Sequence, residues 1–368
     1  EDGEIDAKEA QPEMKFVGLL TPARHAEQPY DDFAAQPLLP NKLSELGPAM
    51  AWGDIDGNGY IDLFLGGGAG SAAQLWIQTG GGNLAQVSVP QFEAESGFED
   101  IDALFFDANG DGQLDLYIVS GGVEGGSRAG AYRDRLYMNT GRGIASAPAG
   151  SLPDSDFSGG VVAAGDCDGD GDLDLFVGCR VVPGQYPKSA ASRLWLNDGA
   201  GRFSDATQEL APQLSEAGMV TDAVWSDSDG DGDLDLLVTT EYGPIRFFQN
   251  DAGALREATA DAGLASVLGW WTRIEPGDFD NDGDTDYVLG NFGLNTKYHP
   301  TPEKPQLLFY GAFGVGGTAN IVEAHPDNDG HLVPNRGRSC SSDAMPFIAE
   351  KFGNFHEFAV ADLGAIYT

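Results

Sequence analysis

The stretch Asp166 to Asp174, D-C-D-G-D-G-D-L-D, constrains the fold more than any other because it is repeated. It returns as Asp227 to Asp235 (D-S-D-G-D-G-D-L-D) and as Asp278 to Asp286 (D-F-D-N-D-G-D-T-D). Milder copies are Asp54 to Asp62 (D-I-D-G-N-G-Y-I-D) and Asp107 to Asp115 (D-A-N-G-D-G-Q-L-D). Successive first positions lie 53, 59, 61 and 51 residues apart. A period in this range marks a chain assembled from repeated supersecondary units, each too small to bury its own core.

The spelling has a chemical reason. Oxygens at positions 1, 3, 5 and 9, with the main-chain carbonyl of position 7, can converge on a hard cation that takes about six to eight oxygen ligands, so calcium is the expected cofactor, at about five sites. The ligand sets are Asp54, Asp56, Asn58, Tyr60 and Asp62; Asp107, Asn109, Asp111, Gln113 and Asp115; Asp166, Asp168, Asp170, Asp172 and Asp174; Asp227, Asp229, Asp231, Asp233 and Asp235; and Asp278, Asp280, Asp282, Asp284 and Asp286. Glycine fills position 6 in every copy and position 4 in four, as a tight left-handed turn around an ion requires. An EF-hand opens with the same D-x-D-x-D-G pattern but needs a glutamate at position 12. Here position 12 is Leu65, Ile118, Val177, Val238 and Leu289, all apolar. Asp/Gly turns without metal are the competing reading, and five copies in register weigh against it.

Each copy is framed by short apolar runs. Ala49–Trp52, Ala103–Phe106, 161–164, Ala223–Trp225 and Arg273–Ile274 precede the loops. Leu63–Leu65, Leu116–Val119, Leu175–Val177, Leu236–Val238 and Tyr287–Leu289 follow them. Runs this short and continuous predict strands buried on both faces. A third strand is predicted in the first four units, around Trp76, Tyr137, Trp195 and Phe247, and an edge strand in the third and fourth, at 202–203 and 255–256. Four short antiparallel strands repeated radially predict an all-β fold, a β-propeller of six or seven blades. A sixth loop without ligands overlays Ala312 to Asn320, only 34 residues after Asp278, so the fifth unit is expected to be incomplete. Residues 1–15 read as a flexible acidic tail, 16–340 as the propeller, and 341–368, with apolar residues at roughly helical spacing, as one or two helices packed on it.

The formal charge is −38, and 18 of the acidic side chains occupy loop positions 1, 3, 5 and 9. Five calcium ions would offset only ten of those charges, so a nucleic-acid partner is not expected. The sequence has no apolar run long enough for a transmembrane helix. Sites of the extracellular kind bind calcium too weakly to fill in the cytosol, which favours an extracellular, periplasmic or cell-surface location. Cys167, Cys179 and Cys340 define no disulfide framework, and the first two are expected to be buried thiols.

The loops resemble those of FG-GAP or VCBS repeat proteins, whose blades carry D-x-D-G-D-G-x-x-D-L. More narrowly, Gly178–Gly184, Gly218–Ala223, Gly269–Trp271, Gly277–Asn295 and Arg336–Ser342 are similar to the ASPIC and UnbV group, relatives of cartilage acidic protein. That group's propellers are typically seven-bladed, and integrin α-subunit heads are similar. The resemblance implies an exported, calcium-stabilised binding scaffold and no reaction.

Catalytic motifs are missing from the sequence: it has no H-E-x-x-H, no G-x-S-x-G and no phosphate loop. The expected function is a non-catalytic adhesion or binding scaffold for a protein or surface component. The alternative is a polysaccharide-binding lectin or polysaccharide-active enzyme. In either case the ligand is expected on the face opposite the loops, where Arg180, Tyr186, Trp270, Trp271, Lys297, Tyr298, His299, Arg336 and Arg338 are the anchor candidates, with loop-pinning and packing roles as the alternative for each.

Overall fold

The structure, a computed structural model, describes residues 23–293, 296–313 and 319–367. The expected acidic tail at 1–15 and a short apolar run at 16–20 lie outside the described residues. The repeats become sheets whose strands follow chain order. The first holds β1 (Met50–Gly53), β2 (Asp62–Leu65), β3 (Gln74–Gln78) and β4 (Leu84–Val87). The second holds β5 (Asp100–Phe106), β6 (Asp115–Ser120), β7 (Arg135–Asn139) and β8 (Ile144–Ser146). The third holds β9 (Gly159–Gly165), β10 (Asp174–Cys179), β11 (Arg193–Asn197) and β12 (Phe203–Asp205). The fourth holds β13 (Met219–Ser226), β14 (Asp235–Pro244), β15 (Arg246–Asp251) and β16 (Ala254–Glu257).

Among the described residues the fifth unit has only β17 (Leu268–Gly277) and β18 (Asp286–Asn291), and β17 also pairs with the far end of β14. The sixth has β19 (Leu307–Ala312), β20 (Ala319–Pro326) and β21 (Leu332–Pro334). First strands of neighbouring sheets lie side by side from β1 through β5, β9 and β13 to β17, which is the radial arrangement of propeller blades. Edge strands β4 and β8 are absent from the sequence reading. They are short, and their residues are half-buried or exposed, so no continuous buried run marks them.

The registers are equivalent. In every calcium-type loop the residue before position 1 pairs with position 9: Gly53 with Asp62, Phe106 with Asp115, Gly165 with Asp174, Ser226 with Asp235, Gly277 with Asp286. The sixth hairpin keeps this register, Gly311 with Asn320, although its sequence has lost the acids. Strand pairing and the apolar frame therefore set the hairpin without the carboxylates.

The core lies between sheets. Phe64, Phe92, Phe105, Leu116 and Tyr137 fill the first interface; Phe106, Tyr117, Val162, Leu175 and Trp195 the second; Phe176, Leu194, Val220, Leu236 and Phe248 the third. The second strands β2, β6 and β10 are buried along their whole length, as their continuous apolar spelling requires. Cys167 and Cys179 are buried and Cys340 is exposed. Residues 30–44, which gave no pattern in the sequence, cross the face opposite the loops. Leu39 and Leu43 pack there against Val123, Val181, Tyr186, Met219 and Ile321 from the second, third, fourth and sixth units.

Beyond β21 the helical periodicity resolves into four short helices, Arg338–Ala344, Phe347–Lys351, Phe355–Ala359 and Leu363–Tyr367, rather than one or two. Pro346 separates the first pair, and Asn354 caps the third by accepting from the Glu357 N–H. Their apolar residues Met345, Ile348, Phe358 and Ile366 pack on Val322 of β20. No helix among the described residues is long and apolar enough to cross a membrane.

Candidate metal loops and the opposite face

The five loops share one hydrogen-bond pattern. The position 1 carboxylate accepts from the N–H of position 6: Asp54 from Gly59 at 2.7 Å, Asp107 from Gly112 at 2.8 Å, Asp166 from Gly171 at 3.0 Å, Asp227 from Gly232 and Asp278 from Gly283 at 3.2 Å. Position 3 accepts from position 5, and position 5 from position 7, in all five. Positions 4 and 6 have positive φ throughout, and where glycine is missing at position 4 Asn281 stands in at φ 62°. Asparagine tolerates that left-handed backbone better than most residues, so the one departure from the glycine pattern leaves the turn intact.

Position 9 has a second job. Its carboxylate accepts from the position 2 N–H in every loop, at 2.9 to 3.2 Å. In the first four it also accepts from an N–H at the end of the third strand: Gln78, Asn139, Asn197 and, one residue before the strand's last, Asn250, at 2.7, 2.6, 2.9 and 2.8 Å. Burial pushes the Asp62, Asp115 and Asp174 carboxyls above the usual range, against the pull of these N–H donors. The acids still converge. One oxygen each from Asp54, Asp56 and Asp62, from Asp166, Asp168 and Asp174, and from Asp227, Asp229 and Asp231 lie within 4.8 Å of one another. All-oxygen sets of this density suit calcium.

The loops are also tied across blades. Asn139 Nδ2 donates to the Ile55 carbonyl at 2.6 Å, Asn197 to Ala108 at 2.9 Å and Asn250 to Cys167 at 2.7 Å. Each acceptor is position 2 of the preceding sheet's loop. These bonds hold the loops of the first four sheets along one edge of the molecule. The asparagines stood in the sequence at the ends of the third strands, but a bond between residues 83 to 89 apart in the chain carries no local signal.

The FG-GAP-like repeat signature matches residues 54–118, 185–238 and 227–289. The chain carries FG-GAP-like repeats. No curated protein matches it. Among solved structures it is similar to one titled a thermostable family-43 glycoside hydrolase, at 9% identity and a TM-score of 0.37, over 80% of this chain and 96% of that one.

On the face away from the FG-GAP-like loops, buried carboxylates are clamped by cations and phenols. Glu241 takes the Arg180 guanidinium at 2.6 and 3.1 Å and the Tyr186 hydroxyl at 2.6 Å. Tyr186 is fully buried and its backbone pairs with the Gln36 side chain, so its ring presents no surface to a ligand. Glu323 takes Arg336 at 3.2 Å, the Tyr298 hydroxyl and, at 3.7 Å, Lys297; Arg336 also donates to the Leu39 carbonyl at 2.7 Å. Arg338 donates to the Phe352 carbonyl at 2.9 Å and pins the C-terminal helices. These contacts give Arg180, Arg336 and Arg338 structural partners.

Trp270, Lys297, Tyr298 and His299 gather in one place. Trp270 stacks between Tyr242 and Phe292, with ring centroids 5.2 and 4.6 Å away, and Tyr298 lies 6.5 Å off. The indole N–H groups of Trp270 and Trp271 are buried without a partner among the described residues. Beside this cluster a cavity of about 380 Å³ is lined by Lys297, Tyr298, His299, Lys304, Gln306 and His325, with Asn335. His325 and Lys304 in that lining had no signal in the sequence, because Lys304 lies in the turn before β19 and His325 on β20, 21 residues further on.

Proposed function

We propose that this chain is an exported, calcium-stabilised propeller scaffold that binds a protein or glycan at the cell surface without catalysing a reaction. The observation that carries the reading is the loop architecture. Five copies repeat one hydrogen-bond pattern and crowd carboxylates together, a geometry that is repulsive until a cation enters it. Calcium would be held by positions 1, 3, 5 and 9 and the position 7 carbonyl, supplying a rigid edge that the Asn139, Asn197 and Asn250 bonds pass from blade to blade. Recognition falls to the other face, where connections differ between repeats.

Glycan binding is favoured as a second reading by the cavity beside Trp270 and Tyr298. Two lysines and two histidines in a chain of charge −38 make a local site for an acidic group, next to aromatic rings that can stack on a sugar. The test is immobilised protein in calcium against acidic and neutral polysaccharides, with product analysis. Saturable binding that falls in Lys297→Ala and His299→Ala identifies a glycan binder. Turnover refutes the non-catalytic reading, and neither result points to a protein partner.

A further inference from the structure

A cluster remote from the loops has a different donor set. His25 Nδ1 lies 2.9 Å from the Gly66 carbonyl. A carbonyl only accepts, so the ring proton sits on Nδ1 and the neutral imidazole's lone pair is on Nε2. That nitrogen faces Glu27 Oε1 in a short contact. Glu99 comes in from the third side. It is 3% exposed, its Oε2 accepts from the Ala69 N–H at 2.6 Å, and its buried Oε1 has no partner among the described residues. One ligand atom from each of the three residues lies within 4.8 Å of the other two.

Three lone-pair-bearing atoms thus meet with no hydrogen-bond donor between them. A proton can serve one pair, His25 with Glu27, and leaves the buried Glu99 Oε1 either without a partner, which is costly, or protonated, since burial pushes that carboxyl up to about 8. A divalent ion serves all three. Glu124 and Asp100 add to the negative field at Glu99. The nitrogen ligand argues against calcium, which takes oxygens, and for an ion of the zinc class, which takes imidazole and carboxylate together at about 2.0 to 2.2 Å. The Gly66 carbonyl behind His25 and the Ala69 N–H behind Glu99 are the orienting partners that metal ligands require. Glycine at 68 is what lets the chain come so close: a Cβ there would lie 2.5 Å from Glu27 Oε2 and 2.7 Å from the Ala26 carbonyl.

We propose that His25, Glu27 and Glu99 form a site for a zinc-class divalent ion, distinct from the five FG-GAP-like loops, that fastens residues 25–27 across the first and second sheets. The test uses the whole chain, stripped with chelator and returned to millimolar calcium so that the loops are served, then titrated with Co²⁺. One equivalent should bind with the visible d–d absorption of a nitrogen-containing site and be displaced by Zn²⁺. Glu99→Gln and His25→Gln should each weaken Co²⁺ binding at least about tenfold while the calcium-dependent melt stays. His25 belongs to a surface segment outside the sheets, so its variant decides the matter even if Glu99→Gln does not fold. No uptake by the wild-type chain, or uptake unchanged in His25→Gln, overturns the proposal.

Discussion

Asn250→Ala tests whether the blades are coupled through their loops. Asn250 is 2% exposed at the end of β15. Its Nδ2 donates to Cys167 O at 2.7 Å in the third loop and to Leu234 O at 3.0 Å in its own, and its Oδ1 accepts from the Gly253 N–H at 2.9 Å. Truncation removes all three bonds and strips a donor from two carbonyls. At about 1 to 3 kcal/mol for each buried group left unsatisfied, and with some relaxation of the Gly253 turn, the expected loss is about 2 to 5 kcal/mol. Thermal and urea melts in saturating calcium would measure it. Amide exchange should rise in the Asp166–Asp174 loop, one blade away from the mutation. Asn197→Ala is the control. Its Oδ1 already lacks a partner, so it loses only the bonds to Ala108 and Leu173 and should cost less. A loss under about 0.5 kcal/mol for Asn250→Ala, or exchange unchanged in the third loop, would refute the coupling.

Chelation should lower the melting temperature and calcium restore it, each site contributing about 2.7 kcal/mol at a hundredfold excess over Kd; Asp231→Ala should reduce bound calcium by about one ion, and an identical calcium count would sink the ligand assignment. Asp134 is buried against Tyr117, its carboxyl pushed up to about 7 by desolvation. Because the folded state then holds a proton that the unfolded state releases near pH 4, this group's contribution is full below about pH 4 and declines as pH rises to about 7, at about 1.4 kcal/mol per unit. Asp134→Asn should therefore flatten the difference between melts at pH 5 and pH 8, and an unchanged slope would count against it. Native chain should titrate one thiol, Cys340, with a disulfide reagent, and three in denaturant, because burial pushes Cys179 up to about 12 and Cys167 higher. Gly68→Ala should cost about 1 to 3 kcal/mol through overpacking and speed tryptic cleavage at Arg24; unaltered cleavage would mean that the segment does not rest on the glycine.

The loops and their flanking strands were legible in the sequence because both are local patterns. A nine-residue spelling fixes a turn, and a run such as Leu116–Val119 fixes a buried strand wherever it lies. The sixth hairpin was legible for the same reason, its strands retaining apolar residues after the acids were gone. What escaped depends on distance. Asn139, Asn197 and Asn250 recur at strand ends, but the carbonyls they reach lie in the preceding repeat. Arg180 and Tyr186 looked like ligand anchors because nothing nearby in sequence pairs with them, and Glu241, 61 and 55 residues on, does. The central segment with Leu39 and Leu43 lacks periodicity because it packs against residues from four different units and not against one regular surface.

The distribution of charge separates the two faces into different physical regimes. On the loop edge the carboxylates of positions 3 and 5 are exposed and close to the buried position 9 acid, and beyond their bonds to backbone N–H groups they have no cationic side chain to offset their repulsion, which an added cation would do. On the opposite face Asp100, Glu241 and Glu323 are buried and already neutralised by Arg135, Arg180 and Arg336. Those pairs hold the connections in place whatever the calcium concentration. Calcium loss should therefore loosen the loop edge first, while the Arg-clamped face holds its shape until the blades part. A protein that met its partner on the loop edge would bind it only when calcium is present. One that uses the opposite face would keep its affinity until chelation unfolds it, so the calcium dependence of binding, set beside that of melting, reports which face is engaged.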